Sequence, residues 1–270
     1  MPAIEPFLDA YVARSRDAET RFCCQKDLLW GERPDETFDY FPAASAGAPL
    51  LVYIHGGYWQ EHSKNESLFA APDCVVNAIA FAAIDYTLAP QASIATIVEQ
   101  CRRAIASLHR QAAKLGFDAR RIYVAGSSAG AHLAALLLVA GWQAAYGLAD
   151  DVVAGAVLLS GIYDIEPLMG TYIDSVLHLT AEDAAALSPL RLKLGRPVKT
   201  IVAWGDNETD EFKRQSRAFV SALIRSGFPV SEFDIAGTNH FDIVFGLANR
   251  ESVLGQATVE MIHGTKNKDT

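Results

Sequence analysis

Apolar positions along this chain fall in short, nearly unbroken runs rather than in alternation. Leu50 to His55, Ile79 to Ile84, Arg121 to Ala125, Val152 to Ser160, Val198 to Trp204 and Val230 to Ala236 are such runs. Runs of this kind mark strands covered on both faces, as in a mostly parallel sheet. Amphipathic stretches of helical length lie between or beside them: Glu66 to Val76, Ile94 to Leu115, Ala129 to Tyr146, Asp210 to Ser226 and Phe241 to Ile262. Gly116 and Gly227 stand where two of these helices should end, suited to a left-handed cap. Two earlier segments, Lys26 to Leu29 and Thr37 to Phe41, flank the turn-forming Gly31-Glu32-Arg33-Pro34-Asp35 and predict an antiparallel hairpin at one edge. The pattern therefore predicts an α/β fold, a mostly parallel eight-stranded sheet with helices on both faces. No repeat or linker divides it, so residues 1–270 are expected to form a single domain. The less regular stretch 163–194, between the sixth and seventh strands, is an insertion positioned to shape a pocket.

Composition narrows the partners. Half of the residues are apolar, and 32 acidic against 23 basic residues give a net charge of −9. The Lys and Arg residues are scattered, which argues against nucleic acid or an anionic membrane. No apolar run approaches the ~20 residues of a membrane span, and Met1-Pro2-Ala3-Ile4-Glu5 lacks the basic segment and apolar core of a secretory signal. Of four cysteines, Cys23 and Cys24 are adjacent and Cys74 and Cys101 lie in apolar helical stretches, with no C-x-x-C pair. Reduced, packing cysteines and a cytoplasmic protein are expected. No histidine pair has metal spacing, so no metal is expected. The expected partner is a small-molecule substrate, and a homodimer is left open.

Residues 126 to 130 read Gly-Ser-Ser-Ala-Gly, between the strand run Arg121 to Ala125 and the helix-forming Ala131-His132-Leu133-Ala134. A sharp strand-to-helix turn lifts the hydroxyl of its central residue clear of the sheet, next to a helix N-terminus that favours developing negative charge. Ser128 is the candidate nucleophile. A serine hydroxyl needs a base, a carboxylate to orient that base, and donors for the oxyanion. Such groups belong on loops that follow a strand's carboxyl end.

His55-Gly56-Gly57-Tyr58-Trp59 follows the third strand. Its glycines allow backbone N–H groups to turn toward a reacting carbonyl, so Gly57 and Tyr58, with Ala129, are the expected oxyanion donors and Gly56 permits the turn. His55 is expected to brace that loop, and Trp59 to pack. Gly237-Thr238-Asn239-His240-Phe241-Asp242 follows the last strand, and His240 is the expected general base. His62 lies beside the oxyanion loop, while His109, His132, His178 and His263 fall on predicted helices or in the insertion. The loop after the seventh strand offers four carboxylates, Asp206, Glu208, Asp210 and Glu211, any of which could orient His240.

These residues resemble the kynurenine formamidase (arylformamidase) branch of the α/β-hydrolase fold, close to the hormone-sensitive-lipase-like esterases. The resemblance spans nearly the whole chain: Thr37-Phe38-Asp39-Tyr40-Phe41-Pro42, His55 to Trp59, Asp85-Tyr86-Thr87-Leu88-Ala89-Pro90, Gly126 to His132, Ser160-Gly161-Ile162-Tyr163-Asp164 and Asn239 to Asp242. Its chain order, serine then acid then histidine, suits Ser128 and His240. The family's acid stands three residues before a Glu-Phe pair that opens a helix; Glu211-Phe212 here implies Glu208, with Asp206 as the rival. The animal enzymes carry Asp at that position, and related esterases often carry glycine where Tyr58 stands. The resemblance implies a cofactor-free serine hydrolase that releases formate from an N-formyl aromatic amine such as N-formylkynurenine, with a short-chain carboxylesterase as the alternative and a catalytically silent binding protein as a remote one. Of the aromatic residues near the expected mouth, Tyr58, Trp59, Tyr163, Trp204 and Phe241, the first choices for substrate binding are Tyr58 and Tyr163. A carboxylated substrate calls for a cation, but the sequence assigns no Arg or Lys to it; Lys64 is only nearby in sequence.

Overall fold

The computed structural model describes residues 4–264; the two ends of the expected 1–270 domain, including Met1–Ala3 of the N-terminal stretch, lie outside the described residues. Eight strands form one sheet: β1 (Gln25–Leu29), β2 (Thr37–Phe41), β3 (Ala48–Ile54), β4 (Ala80–Ile84), β5 (Phe117–Ser127), β6 (Val153–Leu159), β7 (Lys199–Gly205) and β8 (Val230–Ile235). Their spatial order is β1-β2-β4-β3-β5-β6-β7-β8. β2 runs antiparallel to both β1 and β4, and every other neighbouring pair is parallel.

Successive residues of β3 serve opposite faces. Leu50, Val52 and Ile54 join one apolar cluster, whereas Leu51 and Tyr53 join the other. Both faces need cover, which accounts for the unbroken apolar run. Helices α3 (Ile94–Leu115), α4 (Ala129–Leu136) and α7 (Asp210–Arg225) contribute to the first cluster. The second draws on α1 (Glu5–Arg21), α2 (Ala71–Val76) and α8 (Val253–His263). Short helices α5 (Asp174–Leu177) and α6 (Ala181–Leu187) lie in the insertion. Ser93 caps α3 by accepting from the Thr96 N–H, and Gly116 ends it with φ 85°, the left-handed geometry a Cβ disfavours.

Three expected helices are shorter in the structure. α4 stops at Leu136 because the chain then turns outward, with Ala140 N–H donating to Lys193 O and Gly141 at φ 96°. The stretch from Glu66 splits into a 3₁₀ turn, Lys64–Glu66, and α2. The C-terminal stretch splits at Asn249 to Ser252, where the Ser252 hydroxyl caps α8 by accepting from Gly255 N–H. α1 has no counterpart in the sequence expectation. Its packed face, Phe7, Tyr11, Ser15 and Ala18, mixes aromatic with polar and small residues, so helical spacing leaves little hydrophobic signal. No helix among the described residues is long and apolar enough to cross a membrane.

Candidate active site

At the end of β5 the backbone enters α4 through Ser128, at φ 57° and ψ −120°. A non-glycine residue there carries roughly 1–3 kcal/mol of strain, held by surrounding packing. The packing is visible: a Cβ on Gly130 would fall 2.0 Å from Ile54 O, and one on Gly126 2.3 Å from Gly130. Gly130 thus lets the elbow press against β3, and Gly126 lets the first turn of α4 fold back over β5. Ser128 N–H donates to Leu159 O at 2.9 Å, tying the elbow to the end of β6.

The oxyanion loop passes directly beside it, since a Cβ on Gly56 would meet Ser128 Cβ at 3.3 Å. Gly57, at φ 90°, has Glu61 O 2.4 Å from where a Cβ would stand, and its own carbonyl accepts from Gln60 and Glu61. Tyr58 and Trp59 continue with φ 49° and 61°. The N–H groups of Gly57, Tyr58 and Ala129 donate no hydrogen bond among the described residues, the arrangement an incoming oxyanion needs. His55 braces the loop: its Nδ1 lies 3.0 Å from Gly56 O and its ring stacks on Tyr86 at 4.2 Å. Burial lowers its pKa to about 4, so it is neutral. Trp59 is fully buried, with its ring edge-on to His132, another buried histidine lowered to about 4.

On the other side, His240 Nδ1 lies 3.1 Å from Glu208 Oε2. Glu208 Oε1 accepts from the Ser160 hydroxyl at 2.5 Å and from Gly205 N–H at 2.7 Å. Its side chain is fully buried. Burial alone would raise that carboxyl, but the hydrogen bond and charge of His240, the Ser160 hydroxyl and the Gly205 N–H outweigh it and hold the group below the usual carboxylate range. The contact assigns the imidazole proton to Nδ1 and leaves Nε2 as the acceptor. Phe212 lies against the His240 ring at 4.1 Å. The other three carboxylates have different tasks: Asp206 accepts from Gly237 N–H at 2.8 Å, Glu211 pairs with Arg214 at 2.6 Å, and Asp210 is exposed in the first turn of α7.

Ser128, Glu208 and His240 thus leave the same rim of the sheet, from the ends of β5, β7 and β8. The structure joins Glu208 to His240 and forms no hydrogen bond from Ser128 Oγ to His240 among the described residues. Catalytic contacts of this kind are often long before substrate binds. Ser160 was missed from sequence; it is buried, has φ 48° and holds the acid. Its signals are its position at the carboxyl end of a strand and its place at the head of the family-like Ser160-Gly161-Ile162-Tyr163-Asp164 stretch.

One expectation is corrected. Tyr163 is fully buried and stacks on Phe219 at 4.2 Å and 7°, so it is a core residue and presents no face to substrate. The insertion folds inward at this point because Gln215 Oε1 accepts from the N–H groups of both Tyr163 and Asp164. Lys64, near the oxyanion loop in sequence, is not free to meet a substrate: it is 3% exposed and bound to Asp27 at 2.7 Å and Asp39 at 3.0 Å. Trp204 is buried, Phe241 and Tyr58 are half-buried, and the insertion meets the oxyanion loop where Gln60 Nε2 donates to Ile173 O at 3.1 Å.

The sheet order, the strained serine elbow and the paired acid and histidine define an enzyme of the α/β-hydrolase fold. The hyperthermophilic esterase from Pyrobaculum calidifontis superposes with a TM-score of 0.76 at 18% identity, covering 96% of this chain and 91% of that one. A chain from Silicibacter sp. TM1040, provisionally described as a thioesterase, superposes with a TM-score of 0.84 at 25% identity, covering 95% and 94%. The BD-FAE family model matches residues 39–153. Kynurenine formamidase of Danio rerio is 37% identical over 87% of this chain and 81% of its own length, and that of Salmo salar 36% over the same shares. Isoprenylcysteine alpha-carbonyl methylesterase of Arabidopsis thaliana is 26% identical over 90% of this chain and 63% of its own. The chain belongs to the kynurenine formamidase family.

Proposed function

We propose that the protein is a serine hydrolase that releases formate from an N-formyl aromatic amine, with N-formylkynurenine as the reference substrate. The observation that carries this reading is the buried Glu208 carboxylate on His240 Nδ1, at the rim where the serine elbow ends. Ser128 Oγ attacks the formyl carbon while His240 Nε2 takes its proton. The oxyanion accepts from the N–H groups of Gly57, Tyr58 and Ala129, with Gly56 leaving room beside the nucleophile. The C–N bond then breaks as His240 returns the proton to the departing arylamine. Water, deprotonated by the same histidine, attacks the formyl-serine ester and releases formate. An arylamine leaves more readily than an alkylamine because its lone pair is delocalised, so the site faces a lower barrier than a peptidase does. Tyr58, half-buried on the oxyanion loop, is the aromatic residue we assign to the aryl group. The partner is a small molecule, and no step calls on a metal or cofactor. The compartment we assign is the cytoplasm, a reading supported by four free cysteines.

A carboxylesterase acting on short acyl esters is the second reading, favoured by the methylesterase relative. The two are separated by kcat/KM for N-formylkynurenine against p-nitrophenyl acetate. Formate release that exceeds ester cleavage supports the formamidase. Efficient ester cleavage with no measurable formate would overturn it.

A further inference from the structure

His240 sits on a loop that follows an exposed edge strand, yet general-base catalysis needs its imidazole held to a fraction of an ångström. The loop is partly self-supported: Asn239 Oδ1 accepts from Phe241 N–H at 2.8 Å, and Asp242 Oδ1 accepts from Asn239 N–H at 2.7 Å. Beside the ties from the β7 side, Glu208 and Phe212 on His240 and Asn207 N–H to Thr238 O, the loop has an anchor in α1, at the far end of the sequence. Tyr11 Oη donates to Phe241 O at 2.6 Å. The Phe7 ring stacks on Phe241 at 5.8 Å, and Phe241 in turn meets the His240 ring edge-on at 5.4 Å. The same helix grips the stretch that follows the oxyanion loop, where Ser15 Oγ accepts from Leu68 N–H at 3.0 Å and the Tyr11 ring packs on Phe69 at 5.2 Å.

We infer that α1 is a brace that fixes the histidine loop relative to the oxyanion side, and that Tyr11 and Phe7 are positioning residues for His240. Neither has a role with the reacting atoms; each acts through Phe241. Burial, with the Asp242 charge beside it, pushes the Tyr11 phenol well above its ordinary value, so it remains a donor at every working pH. The inference rests on His240 as the base.

The test compares wild type, Tyr11→Phe, Phe7→Leu and His240→Ala, with kcat expressed per active site titrated by an organophosphonate. In Tyr11→Phe the brace predicts kcat about tenfold lower, with KM within about twofold, and organophosphonate modification of the serine slowed by a similar factor. Phe7→Leu should shift in the same direction by a smaller factor, and it decides the matter if Tyr11→Phe does not fold. Unchanged kcat per active site overturns the brace, whether or not melting temperature falls, because the contact is then only structural. A rise in KM at constant kcat overturns it too, since that would make these residues substrate contacts. Activity surviving in His240→Ala would instead sink the catalytic reading on which the brace depends.

Discussion

Ser128 and its oxyanion loop rest on β3 and β5, two central strands, whereas His240 hangs from β8, an edge strand whose residues are mostly exposed or half-buried. On the serine side backbone meets backbone: Gly130 against Ile54 O, Gly56 against Ser127 O, Gly57 against Glu61 O. On the histidine side the backbone touches at Gly205, where a Cβ would meet Thr238 O at 2.5 Å, and at Asn207 N–H, which donates to Thr238 O at 3.0 Å, but His240 itself and the residue after it are held by side chains, Glu208 and Phe212 on His240 and Tyr11 on Phe241. A backbone-packed element tolerates almost no substitution and is written in a short contiguous motif. A side-chain-tethered element is assembled from distant segments, and it can be loosened one contact at a time.

The largest expected effect removes one reacting group from each side. Ser128→Ala and His240→Ala should each lower kcat by roughly four or more orders of magnitude with circular dichroism unchanged, because triad members act as a unit. Loss of activity in only one of the two would break the pairing of the sides.

Next comes the tether itself. Glu208→Gln leaves His240 without a charged partner and should cost about 10²–10⁴ in kcat. Asp206→Asn, which disturbs only the turn held by Gly237 N–H, should cost less than about fivefold, since an amide oxygen still accepts that bond. The opposite ranking would transfer the orienting role to Asp206.

The contrast between backbone-built and side-chain-built regions also explains how much could be read in advance. All eight strands, the elbow, the oxyanion turn and the Gly116 cap follow from local pattern, because buried strands and positive-φ turns constrain residue type directly. α1 escaped, since its inner face includes Ser15 and its function lies in contacts more than 200 residues away, as with Tyr11 and Phe241. Ser160 escaped because its motif, Ser160-Gly161-Ile162-Tyr163-Asp164, marks the family without announcing that the hydroxyl holds the acid. Tyr163 was misplaced for a related reason: nothing near it in sequence announces that Gln215, 52 residues later, draws its backbone into the core. The acid was open among four carboxylates until the family pattern favoured one, because reach depends on where the β7 loop bends.

A third prediction separates the two tyrosines. Tyr163→Ala should destabilise the fold by about 3–5 kcal/mol in chemical denaturation, as for other buried aromatic truncations. Tyr58→Ala should leave stability within about 1 kcal/mol and raise KM for an aryl formamide several-fold. Equal effects of the two on KM would restore Tyr163 to the pocket.

The last effect leaves the chemistry untouched and is a pH dependence of stability on the serine side. Burial raises the Asp85 carboxyl to about 6, although the Lys64 N–H and ammonium draw it down. Because the folded value exceeds the unfolded one, ionising Asp85 costs nothing below about pH 4 and its full cost is reached above about pH 6. Asp85→Asn should therefore be more stable than wild type by roughly 3 kcal/mol at pH 7, with the advantage gone at pH 4. An advantage that grows on acidification would contradict this assignment.

The central claim is that hydroxyl, imidazole and carboxylate act in series, and fluorophosphonate inactivation followed by peptide mapping tests it most directly. We predict a single adduct, on the peptide containing Ser128, forming at least about 100-fold more slowly in His240→Ala and at an intermediate rate in Glu208→Gln. An adduct on another residue, or undiminished labelling of Ser128 without His240, would contradict the account.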